Sequence, residues 1–108
     1  MKNLNTMKFV SNAIEELVEY KAAIAGSKTF DEAKNTGRMM AGYINGLITF
    51  LNTMICEENN DFTAEFDEVL DGWMFKMYDA VADKAIETNQ DKDTIWKLLV
   101  KRDEYTMM

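Results

Sequence analysis

Apolar residues recur along the chain at steps of three and four, the spacing that places side chains on one face of an α-helix. The most regular series alternates these steps without a break. Its members are Phe30, Ala33, Gly37, Met40, Ile44, Leu47, Leu51 and Met54. This heptad seam predicts a helix over residues 30–56, roughly 40 Å long.

Shorter series predict three further helices, over residues 6–25, 62–88 and 93–103. Their apolar faces are Met7, Val10, Ile14, Leu17 and Ile24 in the first, Phe62, Phe66, Val69 or Leu70, Trp73, Met77 and Val81 in the third, and Ile95, Leu98 and Leu99 in the fourth. Short polar connections favour antiparallel neighbours. We therefore predict an all-α fold, an antiparallel helical hairpin or small bundle of about four helices, in a single domain over residues 1–108.

Two local signals set the boundary between the first and second helices. Thr29 followed by Glu32 is the pattern of a capping box, in which each side chain accepts a backbone hydrogen bond at a helix start. Gly26 lies where a left-handed residue commonly ends a helix, so we expect the first helix to end at about Ala25.

Several apolar residues lie beside these seams and have two interpretations. They are Ile48, Ile55, Met74, Phe75 and Tyr78. Either they cover the core of a single chain, or they form a subunit interface, because a helix that is hydrophobic on more than one face needs more than one neighbour.

Three glycines inside the second predicted helix, Gly37, Gly42 and Gly46, run against local preference, since each costs about 1 kcal/mol relative to alanine. Gly42 and Gly46 are four residues apart and form a smooth strip with Asn45 and Thr49. Such a strip favours a close helix–helix contact. The alternatives are that Trp73 fills the groove within the same chain, and that the polar side chains are simply exposed to solvent.

Aromatic residues of the third predicted helix are candidate anchors for such a contact. Trp73, Phe75 and Tyr78 are large side chains of the type that dominates interface energetics.

The composition narrows the class of protein. The absence of proline and the presence of only 5 glycines disfavour turn-rich β folds, and the hydrophobic fraction of 47% disfavours disorder. Twelve Lys and Arg against 19 Asp and Glu give a net charge of −7, which repels nucleic acid and anionic membranes. A single cysteine, Cys56, and the lack of an 18-residue apolar stretch indicate a soluble protein in a reducing compartment.

Acidic residues follow helical spacing along the third predicted helix. Asp61, Glu65, Asp79 and Asp83 define this acidic face. It is either a solvated surface or a docking surface for a basic partner, where charge chiefly raises association rate and specificity.

The chain contains no histidine, which removes the usual general base near neutral pH and the commonest metal ligand. Motifs for phosphate cradles and for serine–histidine triads are also missing from the sequence. We therefore expect a non-enzymatic protein with no catalytic residues, no cofactor and no metal site.

Part of the sequence resembles a pattern found in small proteins of tailed bacteriophages. The segments that carry it are residues 17–21 (LVEYK), 25–26 (AG), 30–33 (FDEA) and 42–47 (GYINGL), about a third of the chain. Between the two glycines, this sequence has Asn45 at the position where the phage pattern has a basic residue. Because those proteins are encoded near head and portal genes, the resemblance implies a virion or assembly component, located in the virion or the host cytoplasm.

Three hypotheses about function follow. The first is a helical interaction protein that acts through helix–helix contacts in a homo-oligomer or a larger assembly. The second is a small acidic phage protein that binds and blocks a bacterial enzyme or defence factor through its acidic face. The third is a sensor that binds a small ligand between helices, for which the sequence shows no cluster of phosphate-binding residues.

Overall fold

The computed structural model describes residues 4–54 and 60–105, with side chains described over 7–51 and 64–105. Over these residues the chain forms four helices: α1 (Leu4–Ala25), α2 (Phe30–Met54), α3 (Asn60–Glu87) and α4 (Lys92–Asp103). The prediction of an all-α fold with about four helices is confirmed, and no predicted helix end differs from the observed one by more than two residues. Ile55 and Cys56 lie outside the described residues.

The core lies between α1, α2 and α3, each of which packs against the other two. Among the described residues, α4 packs along α3, and its backbone does not come close to that of α1 or α2. The architecture is therefore a three-helix core with a peripheral fourth helix.

The heptad seam of α2 is buried as predicted. Seven of its eight members are buried, and the side chain of the eighth, Met54, lies outside the described residues. The sequence left open whether Val69 or Leu70 belongs to the apolar face of α3. Leu70 belongs to it, because Leu70 is fully buried and Val69 is 44% exposed. Burial of a large aliphatic side chain stabilises the fold by about 2 kcal/mol, so this seam supplies much of the driving force.

The prediction that Met7 belongs to the apolar face of α1 is wrong, because Met7 is 56% exposed. Phe9 covers this end of the core instead. Its ring centroid lies 5.3 Å from that of Phe50 and 6.2 Å from that of Phe66. A small residue between the predicted positions, Ala13, is buried and allows α1 to approach its neighbours.

The start of α2 carries the Thr29 half of the predicted capping box, and the Glu32 half is displaced by one residue to Lys28. The backbone N–H of Glu32 donates to Thr29 Oγ1 at 3.1 Å, and the Glu32 carboxylate accepts from the backbone N–H of Lys28 at 3.0 Å. The left-handed conformation expected at Gly26 is wrong, since no described glycine has a positive φ. The last turn of α1 is closed by a hydrogen bond from Ser27 Oγ to the carbonyl of Ala23 at 2.9 Å.

The left-handed residue lies at the end of α3 instead. Asn89 has φ 59°, and its N–H donates to the carbonyl of Ile86 at 3.1 Å, while the N–H of Gln90 donates to the carbonyl of Ala85 at 2.9 Å. This pair of bonds is a Schellman motif, with asparagine in the position that glycine most often fills. It reverses the chain and brings α4 back along α3.

Contacts at the far end of α4 fix it to α3. The guanidinium of Arg102 donates to the carboxylate of Asp79 at 2.9 Å and lies 5.2 Å from the ring centroid of Phe75. The rings of Tyr78 and Tyr105 stack with their centroids 5.9 Å apart. No residue of α4 is buried, so a few partly exposed contacts hold this helix in place.

Candidate functional site

The glycine strip of α2 faces outward. Gly42, Asn45, Gly46 and Thr49 are all exposed. A Cβ atom built on Gly42 or on Gly46 would have no heavy atom of another described residue within 4 Å, apart from the chain and helix atoms next to it. Trp73 therefore does not fill this groove, and no other described side chain does.

Gly37, by contrast, lies at a close contact within the chain. A Cβ at this position would lie 3.0 Å from Val81 Cγ2 and 3.3 Å from Met77 Sδ. Glycine is favoured here because a Cβ would crowd these two side chains, and the closer packing of α2 on α3 offsets its cost in helix propensity. The sequence places Gly37 in the seam but does not mark it as the contact glycine.

The three aromatic candidates for interface anchors all make contacts within the chain. Trp73 is only 8% exposed and belongs to the core, with the Lys76 ammonium 4.1 Å from its ring centroid. Phe75 and Tyr78 are half-buried beneath α4. All three side chains therefore have partners within the chain, and α4 covers part of Phe75 and Tyr78.

The apolar residues left with two interpretations also cover the core of the chain where they are described. Met74 is 5% exposed, and Ile48 is half-buried against the core. Exposed apolar side chains lie elsewhere, and they include Met39 on the outward side of α2 and Trp96 on α4, exposed to 60% and 66%.

The acidic face is partly neutralised. Glu65 and Asp83 are exposed, and Asp61 lies outside the described side chains. Asp79 is bound to Arg102, and this hydrogen bond, followed by the one to Asp103, raises the pKa of the Arg102 guanidinium above its ordinary value. The carboxylate that sits closest to α4 is therefore engaged in holding that helix.

A buried carboxylate oxygen of α3 has no hydrogen-bond partner among the described residues. The Oδ1 atom of Asp67 is buried and forms no hydrogen bond to any described residue. Burial, with a smaller contribution from the charge of Asp71, raises the pKa of the Asp67 carboxyl above 3.8.

A cleft lies between α2 and α4, whose described backbones do not approach each other closely. It holds a cavity of about 220 Å³. Helices α2, α3 and α4 all contribute to its apolar lining, which includes Ala41, Met77, Val81 and Leu98. Lys34 and Arg38 of α2 also line this cavity. A second cavity of about 340 Å³ shares Lys34 and Leu98 with it and adds Lys97. Because they share these lining residues, we refer to the two cavities together as the α2–α4 cleft.

None of the helices, over the part of the chain that the structure describes, is long and apolar enough to cross a membrane. No group of three or more Cys, Asp or Glu side chains within the described residues is arranged to hold a metal ion. Comparison with protein-family models, with curated proteins and with solved structures finds no match to this chain.

Proposed function

We propose that this protein is a non-enzymatic interaction protein that binds another protein through the outward face of α2, in a homo-oligomer or a larger assembly. The observation that carries the proposal is the exposure of Gly42 and Gly46. Together they cost α2 about 2 kcal/mol relative to alanine. No packing among the described residues offsets this cost.

A partner helix would offset it. Glycines four residues apart on one face allow a second backbone to approach closely, as Gly37 allows within the chain. The same side of α2 presents the exposed thioether of Met39 as apolar surface. Asn45, also exposed, supplies an amide that can fix the register of such a contact.

The resemblance of about a third of the chain to small proteins of tailed bacteriophages supports a place in a virion or in its assembly. This resemblance favours a structural or accessory role over a catalytic one. The second hypothesis, that the acidic face binds and blocks a basic partner, has less support. Asp79 is paired with Arg102, so this carboxylate is not free to bind a partner.

The contact is tested by sedimentation equilibrium of the wild-type chain and of two matched variants. Gly46→Leu places a bulky side chain on the α2 face, and Gly72→Leu makes the same replacement on α3, where a Cβ also meets no heavy atom within 4 Å. We expect Gly46→Leu to abolish association and Gly72→Leu to retain it, with circular dichroism showing that both variants stay helical.

The assembly role is tested by mass spectrometry of phage particles purified from a host that produces this protein. Recovery of the chain with the particles supports a virion component. A chain that is monomeric at all concentrations and also absent from particles and assembly intermediates would refute the proposed function.

A further inference from the structure

Beyond the contact proposed for α2, we infer that the α2–α4 cleft is a binding site for a small anionic amphiphile, a monocarboxylate with an apolar tail. The site is formed by Lys34 and Arg38 at one rim and by an apolar wall that α2, α3 and α4 share. Arg38 lies one helical turn before Gly42 on α2, so the sedimentation assay of the α2 contact is run on the same variants, and failure of this inference is thereby distinguished from failure of the proposed function.

The first argument is the charge at the rim. Lys34 and Arg38 are four residues apart on α2, and like charges at this spacing destabilise a helix by a few tenths of a kcal/mol. Lys34 has a distant partner, with its ammonium 3.6 Å from the exposed carboxylate of Asp31. Arg38 has no carboxylate within 4 Å among the described residues. Its guanidinium donates a long hydrogen bond of 3.4 Å to the side-chain oxygen of Asn35. An anion bound between the two cations would relieve their repulsion.

The second argument is the contrast with the rest of the molecule. The chain carries a net charge of −7, yet three cations, Lys34, Arg38 and Lys97, line the cleft with one carboxylate, that of Asp31. Lys34 pairs with Asp31, and Lys97 pairs with Asp93 at 3.0 Å, so among the described residues Arg38 is the cation of the cleft without an ion pair. A cationic cleft on an acidic protein selects an anion from solution.

The third argument is the composition of the wall. Below the two cations, Ala41, Met77, Val81 and Leu98 present hydrocarbon and thioether surface. Small-molecule sites commonly combine such an apolar wall with a few polar groups that fix orientation. The carboxylate would lie between Lys34 and Arg38, and the tail would lie along α3 between Ala41 and Leu98. A phosphate or other compact anion would leave this wall unused.

The test uses sodium decanoate as the probe, with binding followed by amide chemical shifts in nuclear magnetic resonance spectra. Decyltrimethylammonium, which has the same tail and the opposite head charge, is the matched ligand control. We expect decanoate to shift the amides of Gly37, Ala41 and Leu98 and to bind at least about tenfold more tightly than the cationic control, the ratio for one charge-assisted hydrogen bond.

Three variants test separately how the carboxylate head and the hydrocarbon tail of decanoate contribute to binding. Arg38→Gln should weaken decanoate binding about tenfold, whereas Lys21→Gln, the same charge change on α1, should leave it unchanged. Ala41→Leu should fill the cleft and abolish binding. Circular dichroism and the sedimentation assay of the α2 contact establish that each variant keeps its fold and its assembly.

Several outcomes would overturn the inference. They are the absence of shifts with millimolar decanoate, equal binding of both head groups, equal effects of Arg38→Gln and Lys21→Gln, and shifts that map outside the cleft. Binding to anionic lipid vesicles without binding of free decanoate would assign the cations to a membrane surface and would also overturn it.

Discussion

Replacing glycine by alanine at Gly46 and at Gly37 is expected to change the stability of the monomer in opposite directions. Both glycines lie inside α2, so alanine gains about 1 kcal/mol in helix propensity at each. At Gly46 the new methyl group meets open space. The free energy of unfolding should therefore rise by about 1 kcal/mol, which for a domain of this size corresponds to about 5 °C in Tm.

At Gly37 the methyl group meets α3. It would lie 3.0 Å from Val81 Cγ2 and 3.3 Å from Met77 Sδ, both closer than ordinary van der Waals contact. Met77 can rotate away because its side chain is flexible, but Val81 is β-branched and stiff. Overpacking of this kind costs typically about 1–3 kcal/mol, which exceeds the gain in propensity. We expect Gly37→Ala to lower the free energy of unfolding by about 1 kcal/mol.

The assay is urea unfolding followed by far-ultraviolet circular dichroism, at a concentration where sedimentation shows a monomer. The two variants should differ by about 2 kcal/mol, with equal dependence of the unfolding free energy on urea. If Gly37→Ala stabilises the chain as much as Gly46→Ala, the close approach of α2 and α3 is refuted. If Gly46→Ala destabilises the monomer, that glycine packs against a part of the same chain and the proposed function loses its main support.

Three further predictions concern α3 and α4. Asn89→Gly should preserve or slightly raise the unfolding free energy, whereas Asn89→Ala should lower it by about 1 kcal/mol, because the left-handed conformation strains alanine; urea titration distinguishes them. Arg102→Gln removes the bond to Asp79 and should make the amides of α4 exchange about threefold faster with solvent deuterium, without a change in α1. Asp67→Asn should slightly raise the unfolding free energy at pH 7, since it removes a charge that burial disfavours while keeping the shape of the side chain. Because the folded state raises the pKa of Asp67, this residue favours folding at low pH, and its contribution is lost as pH rises from 3.8 through the folded-state pKa. Asp67→Asn should abolish that part of the pH dependence, and an unchanged pH profile would contradict the assignment.

The positions of the helices follow from the sequence because they depend on local information. The seam from Phe30 to Leu51 alternates steps of three and four, and only a helix gathers those residues on one face. The capping box at Thr29 is likewise a matter of neighbouring residues. Such features require no knowledge of how the helices pack.

The roles of individual glycines and aromatic residues depend on packing and could not be predicted in the same way. Gly37, Gly42 and Gly46 have the same intrinsic preference, and only the rotation of α2 relative to α3 places the first in a contact and the other two in solvent. Trp73 and Trp96 are equally suited to an interface by residue type. One is buried and the other is exposed because α3 is a core helix and α4 is peripheral.

The α2–α4 cleft was not predicted because it depends on a contact that the chain does not make. The sequence shows Lys34 and Arg38 as ordinary surface cations of a helix. Their joint position over Val81 and Leu98 arises only because α4 returns along α3 and stays clear of α2. The local signal that could have indicated this path is the polar run that begins with Asn89.

The contacts of this chain follow the order of its helices, which has a kinetic consequence. Each described helix packs on the one before it, and the pairing of α1 with α3 is the one contact that skips a helix. Short connections keep the entropy of loop closure small, and helical bundles with such local contacts fold in microseconds to milliseconds. Refolding that takes seconds in a stopped-flow measurement would contradict this expectation. At ribosomal rates of about 5–20 residues per second, the α1–α2 hairpin has time to form and reform many times before α3 is complete.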